Sequence, residues 1–492
     1  MNQIILTFAS KMEDHQLFMT DNRFRRQFLL TRQTSFDLAW NKLIFQEFTL
    51  FYHPELEFTV SKSREKEIVM IGAMYDWVTP AQTNRQLLDT LACAPSFELF
   101  LTGLSKYAGQ YVILYRDENH FILLHDVCGQ CEIYYDTSFS TFGSQPKLMG
   151  KVIEHEPHQH REASEFYASR EFLTRKNFVG DTTHVGNIKH LPPNQYIDVK
   201  RKAVVRYFPS EPAAQLSIKE VAPKACEMLK GYIKAVALRK KIAMAVTAGY
   251  DSRVLFLASL DEDCTYFVQQ HKNMSAKHYD IVVPQRLTKM YGRPFEVIPD
   301  ADGYEEISDS VDFPKSLPKL GRNFDGYVNL KGNISEIARN FYGYFEKLSP
   351  EDLAFFVGYS GSRFAVEIYG RWLEKAKAFR TNGYDVLDMY YWEERLGVVS
   401  AKVKTTMNDL GIDMFSPFSS RDLLALLLST PRKDRDHNTN NLYHSILLEL
   451  SPDALKLPIN PCFKLDLIRT MTKLKVYNLY RDLGLKYRFL KF

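Results

Sequence analysis

The sequence predicts an α/β protein with a β-rich first part, a parallel sheet in the middle and a helical end. Three observations predict it. Up to about residue 210, short apolar runs are separated by turn residues. Beyond that point strand-like and helical segments alternate, and after about residue 350 the apolar spacing is mainly helical.

Taken in order, Ile68-Val69-Met70-Ile71-Gly72, Tyr111-Val112-Ile113-Leu114-Tyr115 and Phe121-Ile122-Leu123-Leu124 read as strands. The last two are expected to form a hairpin across Arg116-Asp117-Glu118-Asn119. Pro209-Ser210-Glu211-Pro212-Ala213-Ala214-Gln215 lies in a linker, residues 209–217, that divides a first domain (1–210) from a second (218–492). Val221, Ala225, Met228, Leu229, Tyr232 and Ile233 then follow at helical spacing. Ile242 to Val246 fits a buried strand, Thr247-Ala248-Gly249-Tyr250-Asp251-Ser252 a turn, and Val254 to Leu260 a helix. Tyr266-Phe267-Val268 and Phe295-Glu296-Val297-Ile298 add further strands, so a parallel sheet with crossover helices is expected.

Composition bounds the function class. The 492 residues allow two or three domains with real cores. A hydrophobic share of 45%, a charged share of 25% and a net charge of +4 are ordinary for a globular protein and imply no nucleic-acid partner. Cys93, Cys128, Cys131, Cys226, Cys264 and Cys462 are scattered, which suits a reducing compartment; a cytoplasmic location is expected. No stretch approaches the roughly 18 apolar residues of a membrane span. Residues 464–492 hold eight Lys or Arg against two Asp, suited to a solvated amphipathic helix or to an anionic partner.

The turn at 247–252 carries the chemistry. A strand feeding a helix through small residues lets backbone N–H groups approach an anion at the positive end of the helix. The same residues also suit an ordinary strand–helix turn, because Asp and Ser are common caps. The stretch resembles the pyrophosphate-binding loop S-G-G-x-D-S of the ATP pyrophosphatases. Gly249, Asp251 and Ser252 match that loop, while Thr247 and Ala248 replace its Ser and Gly.

Other segments extend the likeness along the chain. They are Asp126-Val127-Cys128-Gly129-Gln130-Cys131-Glu132-Ile133-Tyr134-Tyr135, Phe142-Gly143-Ser144-Gln145, Gly180-Asp181-Thr182-Thr183, Leu191-Pro192-Pro193-Asn194-Gln195-Tyr196 and Arg206-Tyr207-Phe208. Later come Leu330-Lys331-Gly332-Asn333-Ile334-Ser335-Glu336, Phe415-Ser416-Pro417-Phe418, and Leu457-Pro458-Ile459-Asn460 followed by Lys464. In this order they resemble the asparagine synthetase family, which includes the β-lactam synthetases and the lasso-peptide cyclases. The resemblance implies an N-terminal amidotransferase-like α-β-β-α sandwich. It implies after it a parallel-sheet synthetase domain of ATP-pyrophosphatase type with a helical C-terminal part.

The resemblance also implies site residues. Thr247, Ala248, Gly249, Tyr250, Asp251, Ser252 and Gly332 would hold ATP, and Asp251 and Glu336 would ligate Mg²⁺, Glu336 replacing an Asp. Lys464 would stabilise charge developing on phosphate. Members that hydrolyse glutamine use a cysteine at position 2, where this sequence has Asn2, so no glutamine hydrolysis by that route is expected. The base that a β-lactam synthetase draws from a Tyr in the second loop is absent too, since Asn333 stands there. Glu393 and Glu394 are candidate general bases, and equally suit a helix face or pairing with Arg395. Cys128 and Cys131 have no second pair to complete a zinc site. His155, His158 and His160 suit a polar surface loop.

The expected function is an AMP-forming, ATP-dependent carbon–nitrogen ligase acting through an acyl-adenylate. Its nucleophile would be an amine on a small-molecule or peptide substrate, and a homodimer is left open. The alternatives are an amidotransferase using free ammonia on aspartate or a glycan acid, and a degenerate, non-catalytic scaffold.

Overall fold

The computed structural model describes residues 24–461 except 64, 272–273, 300–303, 309–310, 315–323, 344, 346 and 437, together with 470, 471, 474, 476 and 479. Asn2, Cys462 and Lys464 lie outside the described residues.

Two six-stranded antiparallel sheets form the first domain. One runs in the spatial order Ile188–His190, Tyr134–Asp136, Thr141–Gly143, Phe28–Thr31, Phe48–Tyr52, Asn41–Phe45. The other runs Ala203–Arg206, Gln195–Asp198, Phe121–His125, Ala108–Arg116, Glu67–Tyr75, Phe58–Lys62. Strand alternation decides how they pack. Phe28, Leu30, Val69, Ile71, Val112 and Leu114 share a core between the sheets. Their neighbours Ile68, Met70 and Ile113 face outward, onto Leu87, Leu88 and Phe100 of the helices Asn84–Ala92 and Phe97–Leu104. On the far side Leu29 and Phe51 meet Leu148 and Met149 of the short helix Pro146–Met149. The result is the α-β-β-α sandwich. The expected hairpin is present, with Arg116 opposite Phe121. Its turn is closed by the Asp117 carboxylate, which accepts the N–H groups of Asn119 (2.8 Å) and His120 (2.7 Å).

The second domain opens with the helix Ile218–Ala237, started by a capping box between Ser217 and Glu220. Five parallel strands follow in the order Phe295–Ile298, Cys264–Gln269, Lys241–Ala245, Tyr327–Leu330, Asp413–Phe415. The edge strand Asp413–Phe415 comes from within the predominantly helical end, so the segment beginning at Phe415 starts as sheet. No described helix is long and apolar enough to cross a membrane.

The two domains share one core. Tyr75, Val127, Phe166 and Phe208 of the first belong to the same buried cluster as Val221, Leu229, Tyr232 and Trp392 of the second. The segment between them is tied down: the N–H of Ala213 donates to the Asn382 carbonyl (2.8 Å) and that of Leu216 to the Ser429 carbonyl (3.0 Å).

Candidate active site

The order of the parallel strands marks one place. From Lys241–Ala245 the chain adds two strands on one side, then crosses over to add Tyr327–Leu330 and Asp413–Phe415 on the other. In an open parallel sheet, ligands sit outside the carboxyl ends of the strands where the order reverses. Residues 246–252 leave one of the two central strands, and Lys331, Gly332 and Asn333 leave the other. They meet closely: a Cβ on Gly332 would lie 2.7 Å from Asp251 Cβ.

The first loop holds its shape through its own side chains. The Thr247 N–H donates to Ser252 Oγ (3.0 Å), and the two hydroxyls are 2.9 Å apart. The Gly249 N–H reaches Thr247 Oγ1 (3.3 Å), and the Ala248 N–H donates to the Asp280 carboxylate (2.9 Å). Gly249 begins the helix Tyr250–Ala258 with no side-chain cap, so the positive end of that helix is left to another acceptor. Beneath the loop Arg253 is fully buried and donates to the carbonyls of Ala454 (2.9 Å), Leu457 (2.9 Å) and Pro458 (2.7 Å). Burial pulls its guanidinium down to about 10. This anchors the segment 457–460, whose Asn460 N–H donates to the Ala248 carbonyl (3.0 Å). The Leu-Pro segment singled out from sequence is therefore at the loop.

Asp251 and Glu336 come to the same place, with partners the sequence did not disclose. Glu336 lies on the 3₁₀ segment Asn333–Arg339, which is kinked at Ala338 between Glu336 and Arg339. Arg339 Nη1 reaches Asp251 Oδ1 (2.9 Å) and Oδ2 (2.7 Å), and Ser335 Oγ donates to Oδ1 (2.6 Å). Tyr391 donates its hydroxyl to Glu336 Oε2 (2.9 Å). Burial, then the neighbouring Asp251 charge, raises the Glu336 carboxyl above its ordinary range. Lys331, on the same turn, is lowered by burial.

This arrangement does not fit a divalent ion as expected for Asp251 and Glu336. Magnesium asks for carboxylate oxygens with lone pairs to spare. Asp251 Oδ1 already takes two donors, and the donor on Oδ2 is itself a cation.

The structure also corrects the reading of Glu393 and Glu394 as general bases. Both are buried in the interface with the first domain, on the π-helix Tyr391–Ser400. Glu393 pairs with Arg206 and accepts from Trp372 Nε1 (2.9 Å) and Asn194 Nδ2 (3.2 Å). Glu394 Oε2 accepts from the Gly180 N–H (3.2 Å) and the Tyr369 hydroxyl (3.0 Å), and burial raises the group to about 8. Neither touches residues 247–252 through these bonds; they fasten the domains together. A separate cavity of about 120 Å³ between the domains is lined by Glu57, Gly72 and Glu132 on one side and Lys404 and Asn408 on the other, and by no residue of the loop.

No family model matches the chain, and no curated protein does. Among solved structures it is similar to a glutamine phosphoribosylpyrophosphate amidotransferase from B. subtilis complexed with ADP and GMP. That match has 9% identity, covers 66% of this chain and 73% of that one, and has a TM-score of 0.24. A second is described as the allosteric regulatory enzyme of purine biosynthesis; that match has 9% identity, covers 64% of this chain and 70% of the other, and again has a TM-score of 0.24. At those scores the likeness carries no argument about this chain.

Proposed function

We propose that the chain is an AMP-forming, ATP-dependent carbon–nitrogen ligase of asparagine synthetase type, joining a substrate carboxylate to a substrate amine. One observation carries the reading: the loop 247–252 and the turn at Gly332 converge where the parallel strand order reverses, in contact close enough to require glycine. Thr247, Gly249, Ser252 and the uncapped start of the helix Tyr250–Ala258 would hold the phosphates. ATP supplies the adenylyl group that activates the carboxylate. Asp251 and Ser335 set the position of Arg339, a fixed positive charge beside the phosphates, and such preorganised charge is a large catalytic term.

A scaffold without catalysis is the second reading. It is favoured by the three loop N–H groups, of Thr247, Ala248 and Gly249, that already have acceptors within the protein. Pyrophosphate release on incubation with ATP and candidate carboxylate–amine pairs separates the two. Release that depends on both substrates supports the ligase; failure to bind ATP at millimolar concentration, with or without Mg²⁺, supports the scaffold.

A further inference from the structure

Two carboxylates at the mouth of a phosphate-type loop invite a metal ion, yet an arginine occupies the position. Arg339 is not a surface side chain that happens to swing in. Its side chain is 15% exposed and is held from several directions. Nη1 binds both oxygens of Asp251, and Nε donates to Asn440 Oδ1 (3.1 Å). Its guanidinium carbon lies 5.9 Å from the ring centres of both Tyr250 and Tyr443. Tyr443 in turn donates its hydroxyl to the Ser335 carbonyl (2.8 Å), bracing the turn that carries Ser335, Glu336 and Arg339. Among the described residues Nη2 donates to none, so one edge of the planar fork remains for an incoming acceptor.

From this geometry we infer that Arg339 is the resident cation of the site, taking the place of a divalent ion, so that phosphate binding at residues 247–252 does not require Mg²⁺. The inference rests on the nucleotide reading above. A guanidinium set between a carboxylate and a phosphate makes charge-assisted hydrogen bonds to both, and its fixed planar fork suits phosphate oxygens. A metal ion approaching Asp251 would have to displace Arg339 and then tolerate its positive charge at close range. The reverse also follows. Removing the arginine frees Asp251, with Glu336 nearby, and creates the pair of carboxylates that magnesium prefers.

Isothermal titration of the full-length protein with ATP, in excess EDTA and again with Mg²⁺, tests this directly. The wild type should bind in EDTA with a Kd within about threefold of that in Mg²⁺. Arg339→Gln should lose about tenfold or more in EDTA, the worth of one charge-assisted contact, and recover when Mg²⁺ is added. Arg339→Lys keeps the charge without the fork and should fall between the two in EDTA. Wild-type binding that vanishes in EDTA overturns the inference and leaves the ligase reading standing. So does an Arg339→Gln protein that binds like the wild type in EDTA. Absence of binding under both conditions overturns the inference together with the nucleotide reading. The wild-type comparison decides even if a variant fails to fold.

Discussion

Gly332 sits at φ −95°, where any residue is comfortable, so it is the approach of Asp251 that excludes a side chain. The obstacle is backbone as well as side chain, since the same Cβ would lie 3.1 Å from the Asp251 carbonyl carbon. Gly332→Ala should therefore push the two loops apart, cost about 1–3 kcal/mol of stability by overpacking and weaken ATP binding in titration. Asp251→Asn keeps the shape but strips the charge from a pair whose side chains are only 15% and 21% exposed. Turnover should fall by orders of magnitude while circular dichroism stays native; near-normal turnover would remove Asp251 from the mechanism. Gly249, Asp251, Ser252 and Gly332 were singled out through the resemblance of two short loops to the asparagine synthetase family, and the structure sets those loops side by side. Arg339, Ser335 and Asp280 were not, because no sequence pattern says which cation lands on a carboxylate 88 positions away.

At the scale of the element, short apolar runs bounded by turn residues located the strands of the hairpin, and helical apolar spacing located the helix Ile218–Ala237. What those signals did not show was the π-helix Tyr391–Ser400, whose bonding pattern has no counterpart in the apolar spacing of the segment. That helix delivers Glu394 to a site where one carboxylate oxygen takes two donors, and burial lifts its carboxyl to about 8. The consequence for stability has a definite sign. A carboxyl that binds its proton more tightly when folded stabilises the protein fully below its unfolded pKa, and that stability is lost as pH rises towards the folded value. Glu132 adds to the same trend, being raised by burial to about 7. The melting temperature should thus decline between about pH 5 and pH 8. Glu394→Gln, which keeps an oxygen for Gly180 and Tyr369, should flatten that decline and raise stability at pH 8. An unchanged slope in the variant would show that Glu394 does not titrate in this range.

The whole molecule was divided in the sequence at residues 209–217, where proline and small polar residues cluster, and the backbone does leave its last sandwich strand, Ala203–Arg206, just before that point. The division is one of chain order and not of core. Trp392 Nε1 donates to the Val127 carbonyl (2.7 Å), Tyr232 donates its hydroxyl to the Lys106 carbonyl (2.6 Å), and Gly109 and Ser419 exchange two hydrogen bonds across the boundary. Arg421, buried against Tyr207, Phe208 and Trp392, donates to Asn194 Oδ1 (2.7 Å). Such contacts join residues hundreds of positions apart, and for that reason no local pattern announced them. Residues 218–492 alone would leave Tyr232, Trp392 and Arg421 without their covers and expose a large apolar face. The fragment is expected to be poorly soluble, and the intact protein to lose both domains in one cooperative calorimetric transition. Two resolved transitions, or a soluble fragment with full pyrophosphate-releasing activity, would show that the sandwich is a separable appendage and that its buried contacts with the second domain contribute little to holding the loop and Arg339 in place.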